Sequence, residues 1–320
     1  MLKPDYSIQI GAEIIEPKVE SPLVFLRINI DVDIPADCFE IMFGISSKTS
    51  KIKKEDDVSI KLGYKGDLKD VFKGTVDNVE PNISGIRVQG YNFATKLLKL
   101  RTNQVYENQT AGGIVTNLAD KAGLSTEEVS DGIRFPLYFV DDNKNAFEHM
   151  SALAERCGFN VYLTSENKVI FKKFESQEPH VFEYGKNIIE INLQEEFSPI
   201  TGVMVQGESP SSFKGADTSH WLTKRQVEGI AGSGTSLLIQ DPAIRDKDTA
   251  ETVAKAKLGM LERTVLGTVK IIGKADVRLG DTLEIKGMSN SKMNGEFQVI
   301  GVEHFLSKSS GYTTLINWRK

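Results

Sequence analysis

Strands dominate the last third of the chain, beginning with Asp281-Thr-Leu-Glu-Ile-Lys-Gly287 and continuing through Asn294-Gly-Glu-Phe-Gln-Val-Ile-Gly-Val302 and Gly311–Trp318. Apolar residues alternate with polar ones in each run, and glycine or asparagine separates the runs, which is typical of antiparallel strands joined by turns. Four earlier runs have the same character: Ile188–Leu193, Ile200–Gln206, Leu237–Gln240 and Gly267–Gly273. Residues 181–320 are therefore predicted to form a C-terminal antiparallel β-barrel.

One helix interrupts these strands, at about residues 247–262. Asp248 precedes Glu251 by three residues, a spacing that predicts a capping box at the start of the helix. Its apolar stripe consists of Ala250, Val253, Ala254, Leu258 and Leu261. Two Ser/Gly-rich segments in this part of the chain, Gly207–Gly215 and Gly229–Ser236, are expected to be exposed loops.

The first hundred residues also predict strands, without helices between them. Six short β-branched or aromatic runs alternate with turn residues: Ser7–Ile10, Val24–Ile30, Phe39–Phe43, Val58–Tyr64, Val71–Val79 and Ile86–Phe93. This spacing is typical of a small antiparallel barrel or sandwich. Residues 1–105 are therefore predicted to form an N-terminal β-barrel.

A weak internal repeat links the two β-rich regions. The segment Asp57–Asn92 recurs loosely as Asp281–Asn317, with Phe72 matching Phe297 and Gly85 matching Gly311. Two unrelated barrels would share some of this pattern, so the repeat alone leaves duplication open. If the duplication is real, three chains with two similar barrels each could build a ring of approximate six-fold symmetry.

Between the barrels, at residues 106–180, the apolar period changes to that of helices. Thr110 is placed to cap a first helix that ends at Gly123, and Asn145 is placed to cap a second that ends at Gly158. The runs Asn160–Leu163 and Val169–Phe174 then predict a hairpin. The whole chain is thus predicted to be β-rich α+β, with two tube-protein-like barrels and a small helical module between them.

Composition excludes several classes of protein. The chain has 320 residues, 39 basic against 44 acidic, and a formal charge of −5. No apolar run approaches the ~18–20 residues of a membrane span, and Met1–Ile15 lacks a secretory pattern. The most basic stretch, Lys48–Lys54, is followed at once by acidic residues and has no aromatic partner, so nucleic-acid binding is not expected. The two cysteines, Cys38 and Cys157, are predicted to be small core residues.

The search for a catalytic, cofactor or metal site finds no candidate residues. The four histidines, His149, His180, His220 and His304, match no zinc-binding spacing. Gly267–Ala275 resembles a phosphate-binding loop but has one residue too many between its glycines and lacks the hydroxyl that binds magnesium. Glu195-Glu196 and Asp141-Asp142 are sequence neighbours of the kind usually solvated, although a dispersed carboxylate pair for glycoside cleavage stays open.

The C-terminal third resembles the phage late control D family, the hub proteins of contractile tails and related injection machines. The motifs that carry this resemblance are Asp241-Pro-Ala, Ala250–Leu261, Gly267-Thr-Val, Val277–Gly287, Asn294–His304 and Gly311-Tyr-Thr313. Two upstream segments, Gln109–Leu124 and Asn145–Phe159, look like the paired helices of the same proteins. The resemblance extends over nearly the whole chain, and the N-terminal barrel is its least distinctive part.

This resemblance implies a structural protein without cofactors. The family forms a homotrimeric baseplate hub that adapts the six-fold tail tube, or a tube-initiator protein, above it to a three-fold spike, VgrG-like or gpV-like, below it. It implies contacts with other baseplate proteins, assembly in the cytoplasm and incorporation into a tail or injection particle. Two alternatives stay open at this point: a peptidoglycan hydrolase of the same apparatus, and a glycan- or receptor-binding tail module.

Overall fold

Residues 3–17, 21–208 and 227–320 are described by a computed structural model. The loop predicted at Gly207–Gly215 lies mostly outside these residues, as do His220 and Trp221.

The N-terminal half consists of seven antiparallel strands. They are β1 Pro4–Ile10, β2 Glu13–Ile15, β3 Leu23–Asp31, β4 Cys38–Gly44, β5 Asp57–Tyr64, β6 Asp67–Pro81 and β7 Gly85–Tyr91. Hydrogen bonding orders them β3-β4-β7-β6-β5-β1-β2. Alternate residues of these strands face one core, in which Ile8, Leu26, Ile41, Ile60 and Val88 are fully buried. The period of two in the sequence is thus the period of burial.

The helical module follows. Its elements are α1 Ala94–Lys99, β8 Gln104–Thr110, α2 Ala111–Lys121, β9 Thr126–Val129, β10 Arg134–Val140, α3 Ala146–Cys157, β11 Asn160–Leu163 and β12 Val169–Lys172. The predicted hairpin is confirmed, because β11 and β12 pair antiparallel. Helix α1 and the paired strands β8 and β10 were not predicted as elements.

Both predicted helix caps are confirmed. The Thr110 side chain accepts a hydrogen bond from the Gly113 amide at 3.0 Å, and Asn145 forms a capping box with Glu148. Gly158 ends α3 with a left-handed φ of 69°. Such a φ is unfavourable for residues with a Cβ, which explains glycine at this position.

The remaining chain contributes nine strands and one helix to the described structure. They are β13 His180–Glu183, β14 Ile188–Glu195, β15 Gly202–Gln206, β16 Glu228–Gly232, β17 Ser236–Gln240, α4 Lys247–Leu261, β18 Val265–Ile272, β19 Thr282–Lys286, β20 Gly295–Ser307 and β21 Gly311–Arg319. Six of these strands, β13, β14 and β18 to β21, enclose a core built on Trp318, Phe297, Leu283 and Val269. Strand β20 also pairs with β3, so the two halves share one 13-stranded sheet. The prediction of a β-rich α+β fold is confirmed.

Helix α4 and the small sheet β16-β15-β17 pack on the helical module. Ala250, Val253 and Ala254 of α4 share one core with the buried residues of α2 and α3. The cap of α4 was predicted wrongly: its N-cap is Asp246, which accepts a hydrogen bond from the Thr249 amide at 2.8 Å, and Asp248 lies in the first turn. Asp246 competes successfully because its extended backbone places the side chain over the free amides of the first turn.

The expected loop Gly229–Ser236 is a second wrong prediction, because its first part forms strand β16. Glycine here serves close packing instead of a turn. A Cβ atom on Gly229 would lie 2.1 Å from the backbone of Ala250, so only glycine lets β16 lie directly against α4.

Candidate functional site

The two halves of the large sheet have the same strand order. The N-terminal half reads β3-β4-β7-β6-β5-β1, and the C-terminal half reads β14-β18-β21-β20-β19-β13. In both, three consecutive strands form an antiparallel meander, β5 to β7 and β19 to β21. The halves differ in the direction of their last matching strand, since β1 pairs antiparallel with β5 whereas β13 pairs parallel with β19. They also differ at β2, which has no counterpart among the described C-terminal strands.

The matching strands also have matching sequences at one point that the sequence comparison missed. Strand β3 contains Arg27-Ile28-Asn29-Ile30, and β14 contains Glu190-Ile191-Asn192-Leu193. Ile28 and Ile191 occupy equivalent places: Ile28 pairs with Phe39 of β4, and Ile191 pairs with Val269 of β18. The signal that could have revealed this match is an aliphatic-Asn-aliphatic motif that occurs once before the helical module and once after it.

The halves meet where β3 pairs with β20. The ladder runs from Asp31 opposite Gly301 to Phe25 opposite Ser307. On its outer face, Arg27 lies 3.7 Å from the Glu303 carboxylate and 5.4 Å from the centre of the Phe305 ring. On its inner face, Leu26 and Ile28 are fully buried. This junction is a rigid sheet connection, because backbone hydrogen bonds and an apolar face both cross it.

A cleft of ≈ 290 Å³ separates the N-terminal half, the module and the C-terminal half. Its charged side chains are already engaged in bonds within the chain. Lys73 pairs with Glu166 at 2.5 Å, and Arg278 donates to the Asp70 carbonyl at 2.6 Å. Asp281 accepts from the Arg278 amide and lies 2.9 Å from the ring Nε2 of His180. These bonds span the three parts of the chain, so the cleft is the seam between them.

Asp37 is the acid with the most perturbed environment, and it lines this cleft. Burial raises the pKa of its carboxyl to about 7. The carboxyl accepts hydrogen bonds from the Asn92 side chain at 2.6 Å and from the Asp31 amide at 3.2 Å. The Asn92 amide in turn donates to the Asp37 carbonyl. These contacts fasten the end of β7 to the loop before β4, which is a structural role.

His304 lies fully buried on β20. Burial, with the nearby charge of Arg278, lowers the pKa of its imidazole to about 3, so the ring is neutral. Its Nδ1 lies 2.9 Å from the Tyr312 hydroxyl, and its Nε2 has no partner among the residues that the structure describes. His304 is therefore a neutral core residue of the sheet.

The other titratable residues noted in the sequence lie apart from one another. His149 is buried in α3 with its Nε2 2.9 Å from the Asp141 carbonyl, and Glu195 pairs with Lys292 at 2.7 Å. Cys38 and Cys157 are half-buried and unpaired. Within residues 3–17, 21–208 and 227–320, no group of three or more histidine, cysteine or acidic side chains could hold a metal ion. Over the same ranges, no helix is both long and apolar enough to cross a membrane.

The comparisons with known proteins give one family and a set of similar folds. The family model described as the Alg8 N-terminal domain matches residues 30–308. A search of curated proteins found no match.

Solved structures of tail proteins match the whole chain. The 43 kDa tail protein of prophage MuSo2 from Shewanella oneidensis is 11% identical, with a TM-score of 0.75 over 99% of this chain and 98% of that chain. A tail protein from Neisseria meningitidis MC58 is 13% identical, with a TM-score of 0.77 over 99% and 96%. An E. coli type VI secretion component, described as similar to the T4 tail proteins gp27 and gp5, is 11% identical, with a TM-score of 0.61 over 97% and 76%. At these identities the likeness shows a shared fold, that of phage tail proteins.

Proposed function

The chain belongs to the Alg8 N-terminal domain family, and from its tail-protein fold we propose that it is a structural baseplate hub of a contractile tail or injection machine. In this proposal three copies form a ring that joins a six-fold tube, or its initiator protein, to a three-fold spike and lines the channel between them. The hub carries no catalytic site and is a late control D type protein, assembled in the cytoplasm together with other baseplate proteins.

The repeated strand order is the observation that carries this proposal. A ring that contacts a six-fold tube needs six similar surfaces, and a chain with two similar halves supplies them with three copies. We take the halves to be a duplication, with tube-like units in residues 1–105 and 181–320 and the module of 106–180 between them. Helix α1, the sheet β16-β15-β17 and α4 pack on that module instead of continuing the tube-like units. The rigid β3–β20 junction supports this, because it holds the two units side by side in one sheet.

The chemistry of the described residues supports a role without catalysis. The perturbed groups, Asp37 and His304, are buried and hydrogen bonded to their own fold, and the charges in the cleft are paired across it. Catalysis of acyl transfer or hydrolysis requires a nucleophile or acid–base pair facing a substrate cleft. Asp37 and His304 form no such pair, and the Asp281 carboxylate that contacts His180 also accepts a hydrogen bond from the Arg278 amide, so it serves to join parts of the chain.

The first experiment is the mass of the purified protein by light scattering, alone and mixed with a purified spike protein of three-fold symmetry. A trimer alone, or a monomer that becomes a complex of three copies with the spike, supports the hub. A monomer that ignores the spike contradicts it. Negative-stain images of the complex give a second measurement, because the hub predicts rings with six similar lobes in top view.

A further inference from the structure

The internal junction between the halves uses only part of β20. Its first residues, Gly295–Gln298, pair with β19, and its later residues, Gly301–Ser307, pair on the same side with β3. In the other half β6 occupies the place of β20, and its residues Asp67–Thr75 pair with β5. Among the described residues, no strand pairs with Asn78–Pro81 on that side, although β7 pairs with them on the other. The end of β6 is therefore an open sheet edge.

A second open edge lies on β14, which occupies the place of β3. Within the described chain β14 pairs only with β18. Its inward residues Ile188, Ile191 and Leu193 are half-buried, whereas Leu26 and Ile28 at the matching places of β3 are fully buried by the junction. Exposed edges with apolar residues are templates for pairing with another chain. These residues lack the cover that β20 gives to β3.

We propose that β14 of one copy pairs antiparallel with the open end of β6 in the next copy, so that the β3–β20 junction is repeated between chains. The proposal rests on the trimeric ring of the proposed function and specifies its subunit contact. Each half then has the same neighbours on both sides, and the four strands β14-β18-β21-β20 continue through β3-β4-β7-β6 into the next chain. The occupant of each open edge is thus a second copy of this chain.

The internal junction also fixes the register of the new one. Gly85 and Gly311 begin the last strands of the two meanders, so Val88 matches Thr314. In the first meander Val79 of β6 pairs with Val88 of β7. In the second, His304 of β20 pairs with Thr314 of β21. Val79 therefore takes the place of His304. His304 pairs with Ile28, and Ile28 matches Ile191.

Val79 therefore faces Ile191 of the next copy on the inner side, and Asn78 faces Asn192 on the outer side. In the same register Glu80 lies opposite Glu190. Each of these carboxylates keeps its basic neighbour within its own chain, Arg87 and Lys270 respectively. The ladder ends at Pro81, which lacks the amide needed to extend it.

A cross-strand disulfide tests this register. Facing residues of antiparallel strands have Cα atoms roughly 4.5–5.5 Å apart, which suits a disulfide. The variant with Asn78→Cys and Asn192→Cys is oxidised and run on a non-reducing denaturing gel. We expect most of the protein to shift to covalent trimers that a reductant returns to monomer. The matched control combines Asn192→Cys with Ser84→Cys, since Ser84 is also exposed but lies in the turn beyond β6.

Light scattering of the same samples before oxidation separates the two proposals. If the test variant is a trimer in solution but cross-links no more than the control variant does, the β6–β14 contact is contradicted and the trimeric hub is not. A monomer under all conditions, including the mixture with the spike, contradicts both. Equal cross-linking in the test and control variants also contradicts the register.

Discussion

The packing of Gly267 against Trp318 yields a quantitative prediction for the C-terminal core. These residues face each other on β18 and β21, and Trp318 is fully buried against Phe297, with ring centres 4.1 Å apart. A Cβ atom on Gly267 would lie 2.1 Å from the indole benzo ring and 2.6 Å from the Asn192 carbonyl oxygen. Neither contact is possible without movement, so the glycine makes room for the indole.

The perturbation is a double-mutant cycle with Gly267→Ala and Trp318→Phe. Overpacking makes Gly267→Ala alone cost about 3 kcal/mol in the free energy of unfolding. Trp318→Phe alone costs about 2 kcal/mol, because the lost contacts are partly offset by removing an indole N–H that has no partner among the described residues. In Trp318→Phe the smaller ring no longer occupies the position of the indole benzo ring, which is where the new methyl group lies. The double variant should therefore be more stable than the sum of the single effects predicts, by about 1–2 kcal/mol.

Urea unfolding followed by circular dichroism measures this coupling without depending on the fluorescence of Trp318, which two of the variants lack. The contact of the new methyl with the Asn192 carbonyl remains in the double variant, so the rescue should be partial. The reasoning is refuted if the two effects add within about 0.5 kcal/mol. Additive effects would mean that the backbone of β18 shifts to admit the methyl group, and that the indole of Trp318 is not the reason for glycine at position 267.

Three further predictions concern other buried groups. The pKa of Asp37 is about 7 in the folded protein and about 4 when unfolded. Its contribution to stability is therefore present at low pH and lost as the pH rises to 7. In urea titrations, the free energy of unfolding of the native protein relative to that of Asp37→Asn should fall by ~2–3 kcal/mol from pH 5 to pH 8. Arg156→Met should lower the free energy of unfolding by about 2 kcal/mol in thermal unfolding, because it leaves the Asp241 carboxylate, 2.6 Å away and nearly buried, without its partner; Lys255→Met, at an exposed site on α4, is the control and should change little. Burial raises the pKa of the Cys157 thiol to about 11 and raises that of Cys38, so iodoacetamide at pH 7.5 should label both slowly in the native protein and quickly in urea; rapid native labelling of Cys157 would contradict its burial.

Local sequence signals were sufficient to predict much of this fold. Thr110, Asn145, Gly123 and Gly158 each act within one helical turn, and the alternation in β5 to β7 depends on neighbours along one strand. The predictions failed where distant contacts decide the outcome. Gly229 reads as a loop residue until α4 lies on it, and α1 is too short to show a clear period.

The same distinction applies to the candidate site. The repeat between Asp57–Asn92 and Asp281–Asn317 was visible in the sequence, and the structure shows both segments as meanders in equivalent places. The match of β3 to β14 was missed, because a bulge at Ile189 shifts one strand and the flanking residues carry opposite charges, Arg27 against Glu190. The pairing of β3 with β20 could not be predicted, because no local signal identifies the partner of an edge strand.

The pairing of Ile30 with Val302 has a consequence for how the protein is made. During translation β3 emerges early and its partner β20 emerges only after the helical module and most of the second half. Until then a nascent chain exposes the edge of β3, and a prematurely terminated chain would expose it permanently. The long-range strand pair thus makes synthesis as far as β20 a condition for covering the edge of β3.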